Sequence, residues 1–432
     1  MSHLSKTVIP GLGMSSDAIL FSFMGKSTGY GALSIWTHHL KGMKFFNYLS
    51  KSYSGTAVKV MAGVQTGEIY SEAKKRGLMV VGGECPSVGF AGGYIQGGGH
   101  SPLSSIYGLA ADNTLSFEVI TANGDLVTAS REKNSDLFWA LSGGGGGTFG
   151  VVWSATVKTY KDVAVAGAIC SFSTTDTTAY YSALNFYHTQ TPAWTDKGAF
   201  AYAFYQKGYF QMWPLFYPGG TKGQVEAIIA PLKKKWGSLG LAYTCKVTTY
   251  TNFSDAFYAL FVPVTVGGFQ FGGRLIPRSI VQDSKKLTRF VDIAKSIVED
   301  GTAAIDVAIK AGVSHADNAV NPAWRNAEFM FLPATTWSND PADWGKMLAD
   351  RKKITYTYDA ALKQITPGGG AYMNEGDGDE PDWKQAFFGS KYDKLLSIKK
   401  KWDSVGIFYA RNAVGSDAWE VLKDGRLCKK AY

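Results

Sequence analysis

Residues 57–64 read AVKVMAGV, an apolar run that predicts a buried strand, and TGEIYSEAKKRG then predicts a short helix over 66–76 with Gly77 as its stop. LMVV at 78–81 predicts a second strand, which runs straight into GGECPSVGFAGGYIQGGGHS at 82–101, where periodicity ceases. LSFEVITANGDLVTAS at 115–130 alternates apolar and polar residues around Asn123-Gly124, the pattern of a β-hairpin. DLFWAL predicts a helix capped by Asn134 or Ser135 and ended by the glycines at 143–147, and FGVVWSATVKTY predicts another strand. This first part is mixed α and β.

From about 165 to 365 the pattern changes. Aromatic-rich strands, AFAYAFYQKGYFQMWPLFY among them, alternate with longer amphipathic helices, one after Thr221 and one over 282–300. That alternation predicts a separate domain built as a sheet with helices on one side. After TPGGGAYMNE the chain returns to short helices, and no internal repeat is present.

A chain of 432 residues is long enough for two or three domains. Its 14% aromatic content suits planar ligands, and a large core would use aromatics equally. The net charge of +9 raises the question of nucleic acid, but the basic residues are scattered except at 233–235 and 399–401. Both triplets end amphipathic patterns, VEAIIAPLKKKW and YDKLLSIKKKW, and read as solvated helix faces with cations at a C-terminus. No nucleic-acid partner is expected. Cys85, Cys170, Cys245 and Cys428 form no Cys-x-x-Cys pair, so neither a zinc site nor a dense disulfide framework is indicated, and the redox compartment stays open. AILFSFM at 18–24 lacks a preceding basic stretch and a cleavage site, and it is too short to span a bilayer; no membrane partner is expected. Asn252-Phe253-Ser254 is a lone glycosylation sequon at chance frequency.

Gly25-Lys26-Ser27 imitates the end of a phosphate loop, but Leu20 stands where its first glycine belongs, and Gly11 and Gly13 lack the third glycine of a dinucleotide fingerprint. His38-His39 has no third ligand at metal spacing, and His188 and His315 show no partner, so no metal site is expected. His100 ends the glycine run and is either a loop histidine or one directed at a ligand. The run itself holds eight glycines and Cys85 in twenty positions, yet carries Val88, Phe90, Tyr94 and Ile95, which a flexible linker would not. Glycine costs backbone entropy, so this density points to close approach of a ligand.

GGECPSVGFAGGYIQGGGHSPLSSIYGLAADN, LSFEVITANGDLVTAS, SDLFWALSGGGGGTFGVV and the late GGAYMNE resemble, in that order, the FAD-linked oxidoreductases of the vanillyl-alcohol oxidase and berberine-bridge-enzyme superfamily, most of all its fungal secondary-metabolism members. The resemblance extends over about 25–428. It implies an α+β fold: an atypical segment at 1–24, a PCMH-type FAD-binding domain at 25–165 shortened at its N-terminus, a substrate domain at 166–364 with a sheet covered by helices, and a return to the FAD-binding domain at 365–432. It implies FAD, gripped by backbone amides where no side chain intervenes, at Gly89, Gly92, Gly93, Gly98, Gly99, Gly146, Gly150 and Val151.

In that family the cysteine of the CPSVG segment is bonded through sulfur to flavin C6, and Cys85 stands at its place; the residues alone favour an inert buried cysteine. Val88 matches a position beside the flavin that governs oxygen access, and its small side chain favours an oxidase with dioxygen as electron acceptor, plain packing being the alternative. Tyr372 and Asn374 match the late segment that reaches flavin and substrate. Tyr372 is the candidate catalytic base, provided that a nearby cation lowers its pKa; the alternative is a structural tyrosine. Tyr94 and His100 match positions at the flavin edge.

One departure stands out. Family members carry a strand and a Gly-His motif before the segment matching GKSTGYGALSIWTHHL, and that histidine forms a second flavin bond; here the place holds DAILFSFM. A second bond at that position is excluded, and the first half of the cofactor cradle reads as truncated. The expected function is therefore an FAD-dependent oxidase of a small metabolite, with a dehydrogenase as one rival and a flavin-free binding protein or non-redox cyclase as the other.

Overall fold

The computed structural model describes residues 14–17, 26–28, 33–261, 268–314, 316–338, 340–423 and 426–430; Gly11, Gly13, Leu20, Gly25, the 18–24 run and His315 lie outside them. β1 (Met43–Leu49) and β2 (Ser54–Met61) form an antiparallel hairpin, with Ala57, Val58 and Val60 fully buried on β2. The apolar run marks the buried half of that strand, which begins three residues earlier than its first alanine. α1 (Thr66–Lys74) opens with Glu68 Oε2 accepting from the Gln65 N–H (2.7 Å) and stops before Gly77, whose φ of +64° suits glycine. The strand expected at 78–81 shrinks to Leu78–Met79.

β3 (Thr114–Ile120) and β4 (Leu126–Ser130) pair around the Asn123-Gly124 turn. α2 (Ser135–Leu141) follows Asn134, and β5 (Val151–Lys158) enters the middle of the sheet between β2 and β3. The order is β1-β2-β5-β3-β4.

The second sheet begins at β6 (Val165–Ser173), backed by α3 (Thr177–Thr195), and continues through β7 (Phe200–Gln206) and β8 (Tyr209–Pro218). α4 (Lys222–Ser238), β9 (Tyr243–Tyr250) and α5 (Phe253–Leu260) follow, then β10 (Phe269–Phe271), β11 (Arg274–Pro277), α6 (Ser284–Glu299), β12 (Ala303–Ala308) and β13 (Ala327–Thr336). Its order is β9-β6-β8-β7-β12-β13-β10, with β11 also on β13, and all pairings are antiparallel. Alternation along each strand splits the sheet between two cores. Ala201, Ala203, Tyr205, Ala304, Phe329 and Phe331 pack against α3, α4, α6 and α7 (Asp359–Ile365). Phe200, Ile305, Val307, Met330 and Leu332 face the other way, into a core shared with the first sheet. α8 (Trp383–Phe388) and α9 (Tyr392–Trp402) return the chain to that shared core through Phe387, Phe388, Tyr392 and Leu395.

One expectation changes, and two residue groups gain a place that the sequence left open. Lys399 is no solvated residue: it is buried, and its ammonium donates to Asp403 Oδ2 (2.5 Å) and to the carbonyls of Thr148 (2.7 Å) and Phe408 (2.6 Å). Two cysteines pair, since register places Cys170 on β6 opposite Cys245 on β9, where they form a disulfide; Cys85 and Cys428 are free. Asn252 of the sequon caps α5, accepting from the Asp255 N–H. Among the described residues no helix is long and apolar enough to cross a membrane.

Candidate functional site

The start of α1 holds the cysteine loop by its carbonyls. Gly67 N–H donates to Pro86 O (2.8 Å), Thr66 N–H to Val88 O (2.8 Å), Gln65 Nε2 to Ser87 O (2.6 Å) and the Tyr70 hydroxyl to Gly83 O (3.0 Å). With the carbonyls taken up on the helix side, the amides of Gly83, Glu84 and Cys85 find no acceptor among the described residues. Cys85 is partly exposed, with Sγ 3.4 Å from Ser87 Oγ, and Val88 is partly buried against the shared core. Gly89 bridges to Gln65.

A wide helical turn at Phe90–Tyr94, broken at Gly92, carries the chain to Gly98 and Gly99 at φ +113° and +73°. Their carbonyls accept from the amides of Ala111 (3.0 Å) and Ala110 (2.8 Å). A Cβ on Gly99 would lie 2.8 Å from that of Ala110, so the bare backbone there serves packing as well as left-handed geometry. Tyr94 is buried and donates to the His100 carbonyl at 3.0 Å.

Two distant segments close on this loop. Gly145 N–H donates to Gln96 O (2.8 Å), bringing in the glycines at 143–147, where the amides of Gly146 and Gly147 also lack an acceptor among the described residues. Asn374 Nδ2 donates to Gly93 O and to the Tyr372 hydroxyl oxygen, both at 2.9 Å. Gly150 and Val151 stand apart at the head of β5, where Gly150 lets β3 approach and Val151 packs with Phe408; the structure gives them a packing place.

His100 is occupied on both sides. Its Nδ1 lies 2.8 Å from Glu84 Oε1 and its Nε2 3.0 Å from Glu375 Oε1, while Tyr372 stands edge-on at 5.1 Å and Trp324 lies nearly parallel at 6.3 Å. Burial alone would lower its pKa; Glu375 and Glu84 outweigh that and raise it well above the ordinary value. Nε2 is thus hydrogen-bonded to Glu375, while Nδ1 lies in ionic contact with Glu84 without a hydrogen bond.

For Tyr372 the condition set on a base, a lowered pKa, is not met. Burial first, and then Glu375, push its phenol up, the reverse of the shift a catalytic phenolate requires. Opposite this group stands β7, whose partly buried Tyr202 and Phe204 extend the apolar face of Ile305 and Val307. Glu84, Glu375, Trp324 and Tyr202 were not singled out from the sequence. The two glutamates could have been, as charges inside glycine-rich, otherwise buried stretches; the two aromatics carry no local signal.

Gln96 Oε1 is buried without a partner beside the converging segments. Unpaired amides along 83–85 and 146–147, an orphaned amide oxygen, a free thiol and an apolar face fit a group with a pyrophosphate and a flat polar-edged ring, as FAD has. Among the described residues no group of three or more His, Cys, Asp or Glu side chains is placed so that it could hold a metal ion.

Comparison with known proteins agrees. A family model described as an FAD binding domain matches residues 21–130, and one described as berberine and berberine like matches 371–415. The chain is 42% identical to the FAD-linked oxidoreductase patO of Aspergillus clavatus, over 94% of this chain and 72% of the relative, and 38% identical to the VAO-type flavoprotein oxidase VAO615 of Thermothelomyces thermophilus over 94% and 72%. The crystal structure of VAO-type flavoprotein MtVAO615 from Myceliophthora thermophila C1 superposes with a TM-score of 0.91 at 36% identity, covering 97% of this chain and 78% of that one. The chain belongs to the FAD-linked oxidoreductases of the vanillyl-alcohol oxidase and berberine-bridge family. Its cofactor is FAD.

Proposed function

We propose that this oxidoreductase is a dioxygen-using oxidase of a small secondary metabolite, with FAD attached through Cys85. The observation that carries the reading is the meeting of two glycine-bearing segments, at 82–101 and 143–147, with the segment 371–375, opposite the apolar face of β7 and β12. Bound FAD supplies a two-electron acceptor for a hydride leaving a C–H bond next to oxygen or nitrogen. The protein's part is to hold and orient. The amides of 83–85 and 146–147 grip the cofactor, Cys85 tethers it, and Tyr202, Phe204 and Ile305 bound the space for an apolar substrate body.

Tyr372 acts in this reading as a neutral phenol. Its oxygen accepts from Asn374 Nδ2, which leaves its own hydrogen for a substrate oxygen or nitrogen. Oxygen use is supported by the small Val88 beside Cys85 and by the relative named as an oxidase. The test is to reduce the holoprotein without air and mix it with oxygenated buffer. Reoxidation on the stopped-flow timescale, with one hydrogen peroxide per flavin, is expected; reoxidation over minutes, with fast transfer to an artificial acceptor instead, would make the protein a dehydrogenase.

A further inference from the structure

Cys85 follows Glu84, and Glu84 is where the loop meets the C-terminal segment through His100 and Glu375. Carboxylate oxygens stand within 3.0 Å of both ring nitrogens, with hydrogen-bond geometry at Nε2 and a close ionic contact at Nδ1, and this flanking by two carboxylates favours the imidazolium. The side chains of His100, Glu84 and Glu375 are 7%, 16% and 21% exposed, so the charges sit largely out of water. Among the described residues His100 is the one cation paired with either glutamate. The other titratable groups facing the cluster are phenols: Tyr372 at the ring edge, Tyr94 at the His100 carbonyl, Tyr202 from β7 and Tyr70 from α1. All four are held up by burial and stay neutral. Taking the cation away would leave two largely buried carboxylates opposed with nothing between them, and the Glu84 end of the loop would lose its tie to the segment, Asn374 still holding Gly93.

We propose that His100 is the positioning residue for covalent flavin attachment: its imidazolium ties Glu84, and with it Cys85, to Glu375, so that Cys85 Sγ is presented to the ring from one fixed place. This rests on the reading of Cys85 as the tether. The net change joins Sγ to ring carbon C6 with loss of the thiol hydrogen and the C6 hydrogen, as two protons and two electrons; dioxygen takes up both and leaves as hydrogen peroxide. His100 and the glutamates exchange no bond in that change. They fix where the sulfur stands.

The experiment compares full-length wild type, His100→Gln, His100→Lys and Glu84→Gln, each saturated with FAD in air. Total bound flavin is read from the native spectrum, the attached fraction from colour retained after acid precipitation, and folding from the melting curve. His100→Gln is expected to fold, to bind FAD and to lose the acid-stable fraction at least tenfold. His100→Lys, which restores a cation between the carboxylates, is expected to recover several-fold of that loss. Should His100→Gln fail to fold, Glu84→Gln carries the test, because it leaves the imidazole paired with Glu375 and is still expected to lower attachment severalfold. Undiminished attachment in the folded variants, or no rescue by lysine, would overturn the role of His100 alone. Complete release of flavin from the wild type on acid treatment would overturn the Cys85 tether and this proposal together.

Discussion

Burial decides what the acidic and phenolic side chains of this protein can do. Tyr372 lies among groups that sequence alone would enlist for proton transfer, yet its surroundings oppose ionisation, and the nearest cation, His100, is already neutralised by two glutamates. Asp359 is governed by the same effect. Its carboxyl is pushed up to about 8, first by burial and then by Asp377, whereas the unfolded group titrates near 3.8. The folded chain therefore keeps a proton that the unfolded chain gives up. The stability linked to Asp359 is whole below about pH 4 and is lost as pH rises through about 8. His100, also raised, adds a loss in the same direction above its ordinary value. Asp359→Asn keeps an acceptor for the Gly273 N–H and removes the titration. Its melting temperature is expected to fall much less than that of the wild type between pH 5 and 8; an unchanged slope would show that Asp359 is not the responsible group.

At the level of elements, local pattern was informative wherever local pattern was the cause. The Asn123-Gly124 hairpin, α4 after Thr221 and α6 within 282–300 form where periodicity and caps place them, and α2 forms after Asn134 although that side chain bonds Thr128 O and does not cap the helix. It misled where the partner was remote. Lys399 sits at the end of α9 in a run of three lysines, but the carbonyl of Thr148, about 250 positions earlier, and the carboxylate of Asp403 take it into the interior. Cys170 and Cys245 likewise meet through strand register across 75 positions. Lys399→Met would strand the fully buried Asp403 side chain without its cation. Denaturant unfolding is expected to show a loss of about 3 kcal/mol or more. A loss under about 1 kcal/mol would mean that the amides of Ile407 and Phe408 suffice for Asp403.

At the scale of the whole molecule, the family and its cofactor were legible because glycine-rich motifs record a backbone that must stay bare, whereas the aromatic face of β7 and the clamp on His100 exist only once the two sheets meet. That meeting is locked by Asp112, which accepts both guanidinium nitrogens of Arg325 at 2.7 Å and the Asn318 amide at 2.6 Å. The Asp112 side chain is 1% exposed, so Arg325→Met leaves a buried charge and should cost about 3 kcal/mol or more. It should also loosen flavin, since Trp324 beside His100 and Tyr372 is its chain neighbour. Stability and FAD affinity falling together in a titration would bear this out; unaltered affinity would separate the lock from the site.

The account turns on sulfur at Cys85 holding the flavin ring. Digesting the FAD-loaded, denatured protein and weighing the peptide that contains Cys85 tests this most directly. The peptide is expected to carry the mass and absorbance of the flavin, and Cys85→Ala to release the flavin wholly into the small-molecule fraction. A wild-type peptide with a free thiol, all flavin having washed away, would contradict it.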